Sequence, residues 1–197
     1  MGQSDSRADH TQRGSRTRRG ATHVNPSHEV PSLAAARLIR VLSSGGWTLA
    51  TCESLTGGGL GAAVTAVAGA SAVYRGGLIA YATDLKVSLA GVSTGFVAAN
   101  GVVNERVAKE MALGAAWSCR ADVGLATTGV AGPESQDGIA PGTVWLGLAL
   151  PARWTERIRA RRLDLVGDRG EIRMQTVAAA LAWLTDCLGE PVSPATE

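Results

Sequence analysis

The 197-residue chain is 45% hydrophobic and 18% charged, with a formal charge of +2. That is enough apolar content for one ordinary domain whose core needs no disulfide or metal staple. No apolar run has the length needed to span a bilayer and the N-terminus lacks the apolar segment of a secretory signal, so a cytoplasmic protein with no membrane partner is expected.

Residues 1–30 carry Arg7, Arg13, Arg16, Arg18 and Arg19 against Asp5, Asp9 and Glu29, with little apolar content. This composition predicts a disordered, arginine-rich tail. Setting those residues aside leaves 14 of the 19 basic and 14 of the 17 acidic residues in 31–197. A nucleic-acid surface usually shows a basic excess, so no nucleic-acid partner is expected of the folded part. The folded domain is expected over 31–190, with 191–197 a loose C-terminal tail.

In chain order, Ser32 is expected to cap a helix running to about Ser44, with Gly45-Gly46 as its stop. Trp47 to Cys52 reads as the first strand. Thr56 to Val67 reads as a small-residue helix suited to close packing on a sheet, and Tyr74 to Tyr81 as a second strand. Thr83-Asp84 starts a helix that places Lys86 in its first turn. Asn104 caps a helix to Cys119, and Asp122 to Thr127 is a short apolar strand. Strands follow at Thr143 to Leu150 and about Arg157 to Val166, then a closing helix from about Glu171 to Leu188 that opens after Gly167-Asp168-Arg169-Gly170. Helices interleaved with the early strands and two adjacent late strands predict a single three-layer α/β domain, its mixed, mostly parallel sheet flanked by helices.

Three features single out a site. Glu53-Ser54-Leu55-Thr56-Gly57-Gly58-Gly59 brings a hydroxyl from a strand end to a glycine-rich helix start, where unpaired N–H groups and the helix dipole converge. That placement suits a nucleophile or an anion site. All three histidines lie in the first 30 residues, so a base for Ser54 is expected to be something else. The chain has 17 arginines and only two lysines, Lys86 and Lys109. Lysine can lose its proton when desolvated and arginine effectively cannot, which points to proton transfer at Lys86. A second glycine loop, Thr128-Gly129-Val130-Ala131-Gly132-Pro133, follows a strand, and such loops gather at one edge of an α/β sheet. Taken singly, Ser54 also suits a helix cap, Lys86 a solvated charge and the glycines close packing; the combination with Tyr81 makes the case. Cys52, Cys119 and Cys187 are odd in number and widely spaced, as buried hydrophobes are.

In order and spacing, Glu53 to Gly58, Tyr74-Arg75-Gly76-Gly77, Tyr81 to Lys86, Thr128 to Pro133, Gly142-Thr143-Val144-Trp145 and Gly167-Asp168-Arg169 resemble the C-terminal domain of the competence/damage-inducible protein CinA, across about residues 33–188. That family includes bacterial nicotinamide mononucleotide deamidases, which look like Ser/Lys amidohydrolases working without a metal or other cofactor. The resemblance implies Ser54 as nucleophile, Lys86 as general base, and Tyr81 as a supporting proton or orienting group. It also places Thr128 and Arg169 where substrate contacts are expected. The N–H groups at Thr56-Gly57-Gly58 are candidates for an oxyanion, and Arg169 or the amides of Gly129 to Gly132 for a substrate phosphate. The expected partner is a small nucleotide, and the expected assembly a homo-oligomer, with a dimer favoured. A non-catalytic nucleotide-binding or protein-interaction domain of the same family is the alternative reading. Here Cys52 stands for the family's usual alanine, Leu55 for its cysteine, and Glu134-Ser135-Gln136-Asp137-Gly138 for its Asp-Gly-Gly.

Overall fold

A computed structural model of the chain describes Met1 and residues 30–154 and 156–189. The expected tails at 1–30 and 191–197 lie, apart from Met1 and Val30, outside the described residues. The chain order is α1 (Pro31–Gly45), β1 (Leu49–Glu53), α2 (Gly59–Thr65), a 3₁₀ turn (Ala70–Ala72), β2 (Tyr74–Ile79), α3 (Thr83–Ala90), α4 (Thr94–Asn100), α5 (Glu105–Cys119), β3 (Val123–Gly129), β4 (Thr143–Ala149), β5 (Ile158–Asp164) and α6 (Arg169–Gly189).

The five strands form one sheet in the order β2-β1-β3-β4-β5. β1 pairs in parallel with both β2 and β3, whereas β4 is antiparallel to β3 and to β5. Four strands therefore run one way and β4 alone opposes them, which is the mixed, mostly parallel sheet expected. Side chains alternate across the sheet. Leu49, Val123, Leu125, Val144, Leu146 and Leu148 enter a core with α1, α2 and α6, while Ala50, Cys52 and Ala126 enter a second core with α3, α4 and α5. Among the described residues no helix is long and apolar enough to cross a membrane.

Local chemistry explains where boundaries differ from expectation. α1 begins at Pro31 with Val30 at the N-cap, so Ser32 is inside the helix and does not cap it. Proline suits that first position because its φ is preset and its missing N–H would have had no partner. Gly57 and Gly58 both adopt positive φ, 58° and 94°, which delays α2 to Gly59. α4 is a seven-residue helix that the sequence does not announce; Ser93 caps it by accepting from the Phe96 N–H at 3.4 Å. α5 starts where expected, with Asn104 Oδ1 accepting from the Val107 N–H at 2.9 Å.

Glycine lets α5 lie directly on the sheet. A Cβ at Gly124 of β3 would collide with the Ala112 carbonyl, and one at Gly147 of β4 with the Ala108 carbonyl. These are backbone obstacles and cannot rotate away. Gly124→Ala is expected to lower unfolding free energy by about 1–3 kcal/mol, as overpacking does. Gly95→Ala on exposed α4, where nothing lies within 4 Å, should be neutral or stabilising by up to about 1 kcal/mol. Urea unfolding of the two variants beside the parent chain measures both.

Candidate active site

The adjacent parallel strands β2, β1 and β3 end at one edge of the sheet, and the segments leaving them build a cleft of about 260 Å³. Ser54 follows β1, Tyr81 follows β2, and Val130 to Gly132 follow β3. The β ladder runs one step past the strands: the Ser54 N–H donates to Thr127 O and the Ala80 N–H to Glu53 O, each at 2.9 Å. Ser54 is thus pinned by its backbone. Lys86 reaches the cleft from α3, and Arg169 from the start of α6.

Ser54 is 8% exposed, and its hydroxyl makes no hydrogen bond to any described residue. It does not cap α2. Glu53, 2% exposed, caps the helix in its place, with a carboxylate that accepts from the N–H groups of Gly58 at 2.9 Å, Leu60 at 3.0 Å and Gly61 at 2.7 Å. A carboxylate at a helix N-terminus satisfies otherwise orphaned donors and meets the positive end of the dipole. Sequence reasoning misses this role. Its signal is an acid at the very end of a strand, directly before a glycine turn.

Glu53 and Ser54 O take up two of the three N–H groups expected to face an oxyanion, those of Gly58 and Gly57. The buried Thr56 hydroxyl bonds Thr127 Oγ1 at 2.8 Å, and none of the three residues lines the cleft. Within this turn, the N–H groups of Leu55 and Thr56 are the ones without an acceptor among the described residues.

Lys86 is 1% exposed, so it is no solvated surface charge. Its Nζ donates to Ala80 O at 2.9 Å and Tyr81 O at 3.1 Å, and among the described residues no carboxylate pairs with it. Burial pushes its pKa below the ordinary lysine value, because a buried ammonium loses its hydration. A neutral amine has two N–H donors and one lone pair. In that form the two carbonyls would take both donors and leave the lone pair free to accept a proton. No direct hydrogen bond joins Nζ to the Ser54 hydroxyl, although both line the cleft. Lys109, by contrast, pairs with Glu105 at 2.6 Å on the surface of α5. Cys52 is fully buried on the Lys86 side of the sheet, and desolvation raises its thiol pKa to about 12, so it stays protonated.

The other expected residues converge on the cleft in different ways. Thr128 lines it, with its hydroxyl donated to Val102 O at 2.8 Å. Gly129 is the last residue of β3, and Val130 N–H bonds Thr143 O. Of the loop beyond the strand, Ala131 and Gly132 have N–H groups without an acceptor among the described residues. Tyr81 is exposed at the rim. Arg169 ties two sides of the cleft together, donating from Nη1 to Gly132 O at 2.7 Å and from Nη2 to the Tyr81 hydroxyl at 2.8 Å. The acids beside it are occupied elsewhere: Asp168 N–H donates to Glu171, and Glu171 N–H to Asp168, each at 2.8 Å. That reciprocal pair is a capping box.

A wider groove of about 1340 Å³ lies on the α3–α5 side, where Leu113 and Trp117 are exposed; its hydroxyls and carboxylates are engaged elsewhere, Ser88 with Asp84 O, Ser118 with Leu89 O, Glu110 with Arg106 and Asp122 with Thr48. Among the described residues no group of three or more histidine, cysteine, aspartate or glutamate side chains is placed to hold a metal ion.

Comparison with known proteins gives one consistent result. The family description "CinA C-terminal domain" matches residues 32–188. A CinA-like protein of Frankia casuarinae is 47% identical over 134 residues, covering 68% of this chain and 30% of that protein. A putative competence-damage inducible protein of Lactiplantibacillus plantarum is 39% identical over 143 residues, covering 73% and 33%. The chain thus spans about a third of the length of these relatives. Among solved structures, a CinA superfamily protein from Klebsiella pneumoniae superposes with a TM-score of 0.77 at 32% identity, covering 81% of this chain and 98% of that one. One from Enterobacter cloacae gives 0.78 at 29%, covering 88% and 99%. With the same fold and a match running from the first turn of α1 to the last turn of α6, the chain belongs to the CinA C-terminal domain family.

Proposed function

We propose that the cleft hydrolyses the carboxamide of nicotinamide mononucleotide, giving nicotinate mononucleotide and ammonia through a covalent acyl-Ser54 intermediate. One observation carries this reading: an unbonded serine hydroxyl shares a cleft with a buried lysine that lacks a counter-ion among the described residues and has both amine donors committed. A nucleophile and a base of lowered pKa are the two parts an amide hydrolase without a metal needs.

Ser54 Oγ attacks the amide carbon as its proton passes to the Lys86 lone pair. The resulting ammonium hands that proton to the departing nitrogen, the C–N bond breaks, and ammonia leaves. Water then adds to the acyl carbon with Lys86 again as base, and nicotinate mononucleotide is released with Ser54 restored. Backbone donors left free in the Ser54 turn are available to the tetrahedral oxygen, a contribution of about 3 kcal/mol per donor in comparable sites. The substrate phosphate suits the free N–H groups of Ala131 and Gly132 beside Arg169, whose guanidinium keeps donors beyond the two it has spent.

Ammonia release from nicotinamide mononucleotide by the purified chain tests the reading directly. Ser54→Ala is expected to abolish release while leaving the fold intact, since the hydroxyl bonds nothing among the described residues. A binding domain without catalysis would show no release from either protein.

The rate should rise with pH through the lowered pKa of Lys86, because only the neutral amine accepts the proton. Lys86→Arg keeps the charge but cannot deprotonate, and it should be as inactive as Lys86→Ala. A pH–rate profile and the two variants check this together.

Arg169→Ala should lower kcat/KM for the phosphorylated substrate by about 2–3 kcal/mol, the scale of a charge-assisted contact. The dephosphorylated riboside should be used poorly by both proteins and almost equally. Equal losses on the two substrates would assign Arg169 to bridging Tyr81 and Gly132 alone.

A further inference from the structure

We infer that Arg173 is a positioning residue for the Ser54 turn, a role that rests on the amidohydrolase reading above. Arg173 lies one helical turn beyond Arg169 on α6 and does not line the cleft. Its guanidinium reaches across to the turn instead: Nε donates to Leu55 O at 3.1 Å and Nη2 to Thr56 O at 2.8 Å. These are the two carbonyls that immediately follow the nucleophile's own.

Thr56 is held besides by the Gly59 N–H on its carbonyl at 3.1 Å and by its hydroxyl pair with Thr127, whereas the Leu55 carbonyl has Arg173 as its one donor among the described residues. The backbone of Ser54 is fixed by β3, and the turn is closed further on by Gly57 N–H to Ser54 O and by Glu53 on Gly58. Between those anchors the Leu55 and Thr56 N–H groups have no acceptor among the described residues. In a trans peptide the C=O and the following N–H point in opposite directions. Arg173, by drawing Leu55 O toward α6, therefore turns the Thr56 N–H away from that helix. The planar fork of an arginine can hold two carbonyls at once in a fixed geometry, which a lysine ammonium on a flexible stem does less well. α6 consequently governs the site from two successive turns, with Arg169 on the Tyr81 and Gly132 side and Arg173 on the nucleophile side.

A misplaced nucleophile loses rate more than affinity, on the order of 100-fold for a shift of about 1 Å. Arg173→Ala should accordingly lower kcat for ammonia release by about 100-fold while KM moves by less than about threefold. Added ethylguanidinium should restore part of the kcat of Arg173→Ala and none of that of Ser54→Ala. Arg173→Lys, which keeps the charge and one donor contact, should fall between parent and alanine variant and guards against a misfolded Arg173→Ala. Labelling of Ser54 by a fluorophosphonate, followed by mass, reads nucleophile geometry without the substrate. Its rate should fall in the arginine variants in step with kcat.

If the parent chain labels at Ser54 but releases no ammonia, the substrate assignment fails and the labelling rates still decide the role of Arg173. Unchanged kcat and labelling in folded variants, a loss confined to KM, or a parent Ser54 inert in both assays would each overturn the inference.

Discussion

The site depends first on the bond between Glu53 and the start of α2. A carboxylate with 2% exposure accepts three backbone N–H groups from a helix whose leading residues, Gly57 and Gly58, would otherwise bend freely. This anchors the chain where it changes from strand to helix, and Ser54 sits inside the change. The same bond fixes what the helix terminus is for. A positive helix end that already holds a carboxylate is not an anion site for a ligand.

That constraint divides the electrostatics of the cleft between two kinds of cation. Lys86 is bonded to two backbone carbonyls, and its burial lowers its pKa by stripping the ammonium of its hydration. Arg169 stays at the rim with its charge permanent and its donors partly spare. One side chain is suited to moving a proton and the other to holding an anion, and both line the cleft that Ser54 enters. The two glycine contacts of α5 support the same arrangement from beneath, since Gly124 and Gly147 let the helix backbone lie directly on β3 and β4.

Much of this can be read from the chain because the informative residues are local. A strand-end serine, a lysine in a chain of arginines and a second glycine loop are visible in one dimension, and strand-end turns of neighbouring parallel strands must meet. What stays hidden is partnership. Gly57 and Gly58 look like free donors until Glu53 is seen to occupy the second of them and Ser54 O the first, because no local rule says which way a strand-end carboxylate turns. Arg173 reads as one more charge on a helix; its bonds to Leu55 and Thr56 link residues more than a hundred positions apart. α4 is silent in the sequence because seven residues give too little periodicity to count. Ser32 looks like a cap because the proline one position earlier, itself a valid helix start, carries no hydroxyl to draw attention.

Cys52 has a consequence of another kind. Its thiol lies two residues ahead of Ser54 with no exposed surface, held protonated by a pKa raised to about 12. Peroxide and disulfide exchange both act on the thiolate, so this sulfur offers them little to attack. Hydrolases built on a cysteine nucleophile surrender activity whenever their surroundings turn oxidising. In this chain the cleft hydroxyl of Ser54 and the sheltered sulfur of Cys52 are separate atoms, and oxidants that act on thiolates do not find one at Cys52.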